Sequence, residues 1–219
     1  MPGVTPSSSA VHPVAQDVDP KRAAVLLAAQ QALTDGRQLQ LNEIARSAGV
    51  GVGTVYRHFA TPQALLETLV GQRLQALTQQ AQTAASAQDT AEATRGFLRT
   101  TLLVLTEDPA LAQVLAEAED ALPSTGVLKT ELSLGVDRLL RRAVDEKVLP
   151  DWITSNDLER LLCGVAFAAR LHPGPAAKPA AQRYLDALLD GLLTSRPADP
   201  PSPSRRWPAS ATPTASPPT

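Results

Sequence analysis

The 219-residue chain carries 20 basic and 22 acidic side chains, a formal net charge of −2, and is 43% apolar but only 3% aromatic. That apolar share is enough for one core or two small ones, and with aromatics scarce the packing falls to Leu, Ala and Val, which favours helices over strands. A single cysteine, Cys163, excludes an internal disulfide; the first twenty residues have no basic start and apolar run, and no stretch approaches eighteen apolar residues, so export and membrane insertion are not expected and the cytoplasm is.

Residues 1–18 are rich in Pro, Ser and small side chains and are expected to form a disordered arm. Asp19-Pro20 then reads as the cap and first residue of a helix reaching about Thr34, with Leu26, Ala29 and Leu33 along one face and Gly36 as terminator. The next segment, Ile44 to Phe59, reads IARSAGVGVGTVYRHF. Its spacing predicts two short helices and a sharp turn, a helix-turn-helix spanning about residues 41–60. Ile44, Ala45 and Ala48 face inward from the first helix, and Gly49 supplies the positive φ that ends it. In the second, Val55 and Phe59 lie four apart on a buried face, while Thr54, Arg57 and His58 share an outer one. Hydroxyl, guanidinium and imidazole groups on an outer face, with Gly51 and Gly53 near the helix start, suit approach to a DNA backbone and major groove. Lys21 and Arg22, at the start of the first helix, can reach the same backbone or simply be solvated charges.

The run AGVGVGTVYRHF, followed by a short link and ALLE, resembles the signature of the TetR family of bacterial transcriptional regulators. The resemblance is specific over residues 19–77 and looser to about 194. It implies that Thr54, Tyr56 and His58 hold operator phosphates, that Gly51, Val52, Gly53 and Arg57 touch base edges or backbone, and that Asn42 and Thr61 flank the contact. Three positions depart from the family pattern. Gln40 stands where a Ser or Thr cap is usual, Val52 replaces a commonly polar side chain, and Pro62 occupies the place of a lysine that often grips phosphate. Thr61-Pro62 nonetheless makes a good cap and first turn for the next helix.

Further helices are predicted at about 62–84, 89–106, 108–121, 125–148, 155–171 and 176–193. The first carries Leu65, Leu66, Leu69, Leu74 and Leu77. Asp108-Pro109 repeats the cap-plus-proline start. In the segment 125–148, Leu128, Leu132, Val136, Leu139 and Ala143 recur every three or four residues, with Arg138, Arg141, Arg142 and Glu146 between them as a solvated face. Cys163, within an apolar run, is expected to be a buried, inert thiol. No period-two alternation or hairpin dipeptide appears, so the fold class is all-α: a three-helix DNA-binding head (19–77) and a helical regulatory and dimerisation body (78–194). From 195 the chain is dominated by Pro, Ser, Thr and Ala and is expected to be a disordered tail, with Arg205, Arg206 and Trp207 its conspicuous features.

No HExxH, CxxC, P-loop or GxSxG pattern is present, the three histidines are far apart, and the glycines at 49, 51 and 53 follow a helix rather than a strand; neither catalysis nor a cofactor or metal is expected. The expected partner is double-stranded operator DNA. Residues 21–59 carry a net +3 and residues 60–194 a net −5, so positive charge gathers in the head. The last two helices offer Leu161, Leu162, Val165 and Ala169, and Leu185, Leu188, Leu189 and Leu192, as a homodimer interface of the kind the resemblance implies. A small, largely apolar effector is expected within the body, with Phe97, Trp152 and Phe167 as wall residues, releasing a repressor from DNA. The alternative is an architectural or adaptor protein with the same head and no effector.

Overall fold

The computed structural model describes residues 19–172 and 174–193; the N-terminal arm and the tail with Arg205, Arg206 and Trp207 lie outside the described residues. Among them every regular element is helical, in the order α1 (Pro20–Thr34), α2 (Leu41–Ser47), α3 (Val52–His58), α4 (Pro62–Ser86), α5 (Thr90–Glu107), α6 (Pro109–Ala116), α7 (Pro123–Asp145), α8 (Ser155–Arg170) and α9 (Ala177–Leu193). Local chemistry sets most of their starts. Asp19 accepts from the Lys21 N–H, Asp108 from that of Leu111, and Thr61 from that of Ala64, each next to a proline at the first helical position. Thr154 and Asp157 close a reciprocal capping box at α8. Among the described residues no helix is long and apolar enough to cross a membrane.

The chain divides into two units. The first holds the described residues up to Thr78 together with Asp108–Glu131. Its centre is a cluster of Val25, Ala29, Ala32, Leu41, Ile44, Ala45, Val55, Phe59 and Leu65, into which Leu26, Ala48 and Leu69 pack as half-buried neighbours. The buried stripe of α1 is thus Val25, Ala29 and Ala32, one position round from the expected Leu26, Ala29 and Leu33. Residues 108–131 join this unit because side chains of α4 reach them. Glu67 accepts backbone N–H groups of Ala121 and Leu122, Arg73 pairs with Asp108 at 3.0 Å, and the Thr78 hydroxyl donates to the Leu128 carbonyl at 3.3 Å. The helix expected to run to 121 ends at Ala116, and the exposed segment Glu117–Glu119 follows it.

The second unit holds Gln79–Glu107 and the residues from Leu132 onward. Here α5, α8 and α9 pack on one another, burying Phe97, Leu98 and Leu102 with Leu158, Leu162, Ala166 and Ala169 and with Ala181, Leu185, Leu189 and Leu192. Arg95–Asp190 (3.0 Å) and Arg99–Asp186 (2.7 Å) pair α5 with α9. Arg142 is not part of a solvated basic face. Its guanidinium donates to the carbonyls of Ala87 and Gln88 and pairs with Glu146, so that α7 supplies the charged cap that the C-terminus of α4 lacks in its own sequence. Gly135 lets α7 approach closely, since a Cβ there would meet that of Ala81 at 3.1 Å. Cys163 is exposed, not buried: it lies on the outer side of α8, away from the stripe of Leu158, Leu162, Ala166 and Ala169.

Candidate nucleic-acid interface

The interface is built from the inside outward. Leu41, Ile44 and Ala45 of α2 and Val55 and Phe59 at α3 are buried in the first unit's core, which fixes the two helices against α1. Between them Gly49 stands at φ +66°, a conformation that a side-chain-bearing residue reaches only with strain, and the Val50 N–H bonds back to the Ala45 carbonyl at 3.0 Å. Gln40 caps α2 without a side-chain bond, in keeping with glutamine's poor capping chemistry. Gly51, extended at φ −66° and ψ 140°, precedes α3 and likewise offers no side-chain cap.

With Val55 and Phe59 anchored, the remaining α3 side chains are turned out. Gly51, Val52, Gly53, Tyr56, Arg57 and His58 are exposed, Tyr56 by 49%, and Thr54 is half-buried. Asn42 is exposed on the first turn of α2. Thr61 is exposed too, and although its oxygen accepts from the Ala64 N–H, its hydroxyl proton is left to donate to a further partner. The expected DNA-facing residues are therefore exposed, apart from half-buried Thr54, while Val55 and Phe59 of the same segment are buried.

Two contacts beneath this surface were not legible in the sequence. His58 Nε2 lies 3.1 Å from Asp19 Oδ2, while the other oxygen of that carboxylate caps α1 through Lys21. One residue on, the Arg22 guanidinium sits 5.6 Å above the Phe59 ring. The start of α1 is thus tied to the end of α3 at two adjacent residues. Glu67 is the third unforeseen group, buried to 1% exposure on α4. Burial opposes its charge, but the Ala121 and Leu122 N–H groups, Gln63 and Thr125 together hold its carboxyl below the usual glutamate range.

The body residues named from the sequence are placed less uniformly. Leu162, Ala169, Leu185, Leu189 and Leu192 are buried within the chain itself, Val165 and Leu188 are half-buried, and Leu161 is exposed. Phe97 is buried, whereas Trp152 and Phe167 stand 66% and 61% exposed. A cleft of about 380 Å³ lies between the end of α7 and the start of α8, lined by Asp137, Leu140, Arg141, Val144, Asp145, Asp151, Ile153, Thr154 and Ser155, so its walls are mixed rather than apolar. Among the described residues no His, Cys, Asp and Glu side chains gather into a metal-binding group of three or more.

The family model for bacterial regulatory proteins of the tetR family matches residues 23–69, which contain α2 and α3. A TetR transcriptional regulator from Streptomyces coelicolor is 29% identical and superposes with a TM-score of 0.51, over 78% of this chain and 98% of its own. SmeT, the repressor of a Stenotrophomonas maltophilia multidrug efflux pump, solved as a triclosan complex, is 20% identical over 87% of this chain and 100% of its own, with a TM-score of 0.54. FadR from Bacillus subtilis in complex with stearoyl-CoA is 16% identical over 78% and 98%, with a TM-score of 0.53. Comparison with curated proteins finds no match. Residues 23–69 thus carry the helix-turn-helix of the bacterial tetR-family regulators, and the all-helical described chain shares the fold of TetR-type regulators of known structure.

Proposed function

We propose that this regulator is a homodimeric repressor that holds operator DNA through α3 and is released from it by a small-molecule effector. The observation that carries the DNA part is the division of α3. Val55 and Phe59 are anchored in the core, and Thr54, Tyr56, Arg57 and His58 are left on the other side with hydroxyl, guanidinium and imidazole donors for phosphate and base edges. Asn42, Gly51, Val52, Gly53 and Thr61 complete the proposed contact.

The dimer part is supported by what α8 and α9 leave uncovered. Leu161, Gly164, Phe167 and Leu171 on the α8 side, and Tyr184, Ala187 and Gly191 on α9, are exposed, with Ala168 and Leu188 half-buried beside them. These, more than the leucines buried in the chain's own core, are the side chains a second copy would cover. The effector part is supported by relatives of the same fold, SmeT with triclosan and FadR with stearoyl-CoA.

Selection of duplexes from a randomised DNA pool by the full-length chain tests the reading. A two-fold pair of reading helices predicts enrichment of an inverted repeat with half-sites about one helical turn apart, roughly 34–36 Å. Enrichment of no sequence, or of unpaired half-sites only, contradicts it. A thermal-shift screen with apolar compounds then separates the effector-driven repressor from an adaptor, because a ligand of the native state raises its apparent stability.

A further inference from the structure

We propose that the cleft between the end of α7 and the start of α8 binds a small organic cation with an apolar body, of the arylalkylammonium type. The inference deepens the effector reading, on which it rests for the presence of a small-molecule ligand, by naming a place and a charge. Of the side chains lining the cleft, Leu140, Val144 and Ile153 supply apolar surface, while Asp137, Asp145 and Asp151 outnumber a single opposite charge, Arg141. None of these four charged side chains forms an ion pair or a side-chain hydrogen bond among the described residues, although one step along α7 Arg142 and Glu146 pair at 2.7 Å. Three carboxylates against one guanidinium thus leave an excess of negative charge that the chain itself does not compensate.

Position reinforces the sign. Asp145 is the last residue of α7, where the helix dipole disfavours an anion and favours a cation. The start of α8 draws no anionic ligand in its place, because Asp157 already occupies it and closes the capping box with Thr154. Among the described residues no carboxylates gather closely enough to hold a metal ion, so the charge they suit is one carried on a larger body. The cleft, about 380 Å³, has room for such a body, and its three aliphatic side chains give it a surface to lie on. Between the lining residues Asp151 and Ile153 stands Trp152, 66% exposed, an indole that can add its ring face to a cation bound beside it.

Calorimetric titration of the full-length chain with phenylbutylammonium, phenylbutanol and phenylbutyrate, which share one body and differ in charge, tests the class. The ammonium should bind tightest and the carboxylate not at all, and ammonium binding should weaken as salt rises from about 0.1 to 1 M, as a partly exposed charge contact does. Asp137→Asn or Asp151→Asn alone should weaken it about two- to fivefold, and the triple variant Asp137→Asn, Asp145→Asn, Asp151→Asn should bring it down to the level of the alcohol at an unchanged melting temperature. Arg141→Gln, which deepens the negative excess, should instead tighten ammonium binding, a measurement that stands if the triple variant fails to fold. Equal binding of all three compounds overturns the proposal, as does equal ammonium binding by wild type and the folded triple variant, or weaker binding by Arg141→Gln. A different compound that stabilises wild type and the triple variant alike, with no binding of the ammonium, would overturn this site while leaving the effector reading in force.

Discussion

Glu67 keeps an ionised carboxyl at 1% exposure because its donors are backbone N–H groups at 2.8 Å from Ala121 and Leu122, with Gln63 at 2.9 Å and Thr125 alongside. Burial works against the charge, and the hydrogen bonds outweigh it, so the folded-state pKa is lowered. A lowered folded pKa means that the charge's contribution is complete above the unfolded glutamate value, about 4.3, and is lost as pH falls through the folded one. Glu67→Gln places an NH₂ donor against an N–H donor and should destabilise the protein by about 1–3 kcal/mol at pH 7. That gap should narrow as wild type is acidified; equal denaturation midpoints at pH 7 would show that the carboxylate contributes nothing. Nothing in the sequence ALLETL marks this residue as buried, since an acid inside a leucine-rich helix reads as solvated and its backbone donors lie 54 and 55 positions away. Val55, Phe59 and Gly49 were legible for the opposite reason: local periodicity and the turn's φ determine their places.

The helices divide along the same line. Starts written by a cap and a proline, at Pro20, Pro62 and Pro109, were readable to the residue. Ends set from a distance were not: α6 stops at Ala116, and Arg142 of α7 caps the end of α4 from more than fifty residues away. The face of an amphipathic helix is equally ambiguous when apolar residues flank the stripe, and α8 and α9 carry such residues on both sides. This distinction makes the dimer testable by a pair of substitutions. Leu161→Arg, on the exposed face, should yield a folded monomer by light scattering. Leu189→Ala, fully buried, should instead cost about 2–5 kcal/mol of stability, as cavity formation does. A Leu161→Arg protein that remains fully dimeric would place the interface elsewhere.

At the scale of the whole molecule, the all-helical class followed from composition and periodicity, but the division of the chain did not. A boundary drawn along the sequence at 77 cannot show that residues 108–131 group with the head, because that grouping depends on Glu67, Arg73 and Thr78 finding partners far along the chain. Charge is asymmetric along the sequence, with +3 over residues 21–59, which hold α2 and α3, against −5 over 60–194. The contact that this charge assists is proposed to centre on Tyr56 and His58, both exposed on α3. The most direct test is the salt dependence of binding to the selected duplex by the Tyr56→Phe, His58→Ala double variant. Loss of two phosphate contacts should weaken binding at least about tenfold and lower the slope of log K against log salt by roughly 1.8, with the melting temperature unchanged. Wild-type affinity and slope in the double variant would contradict the assignment of α3 as the DNA-holding helix.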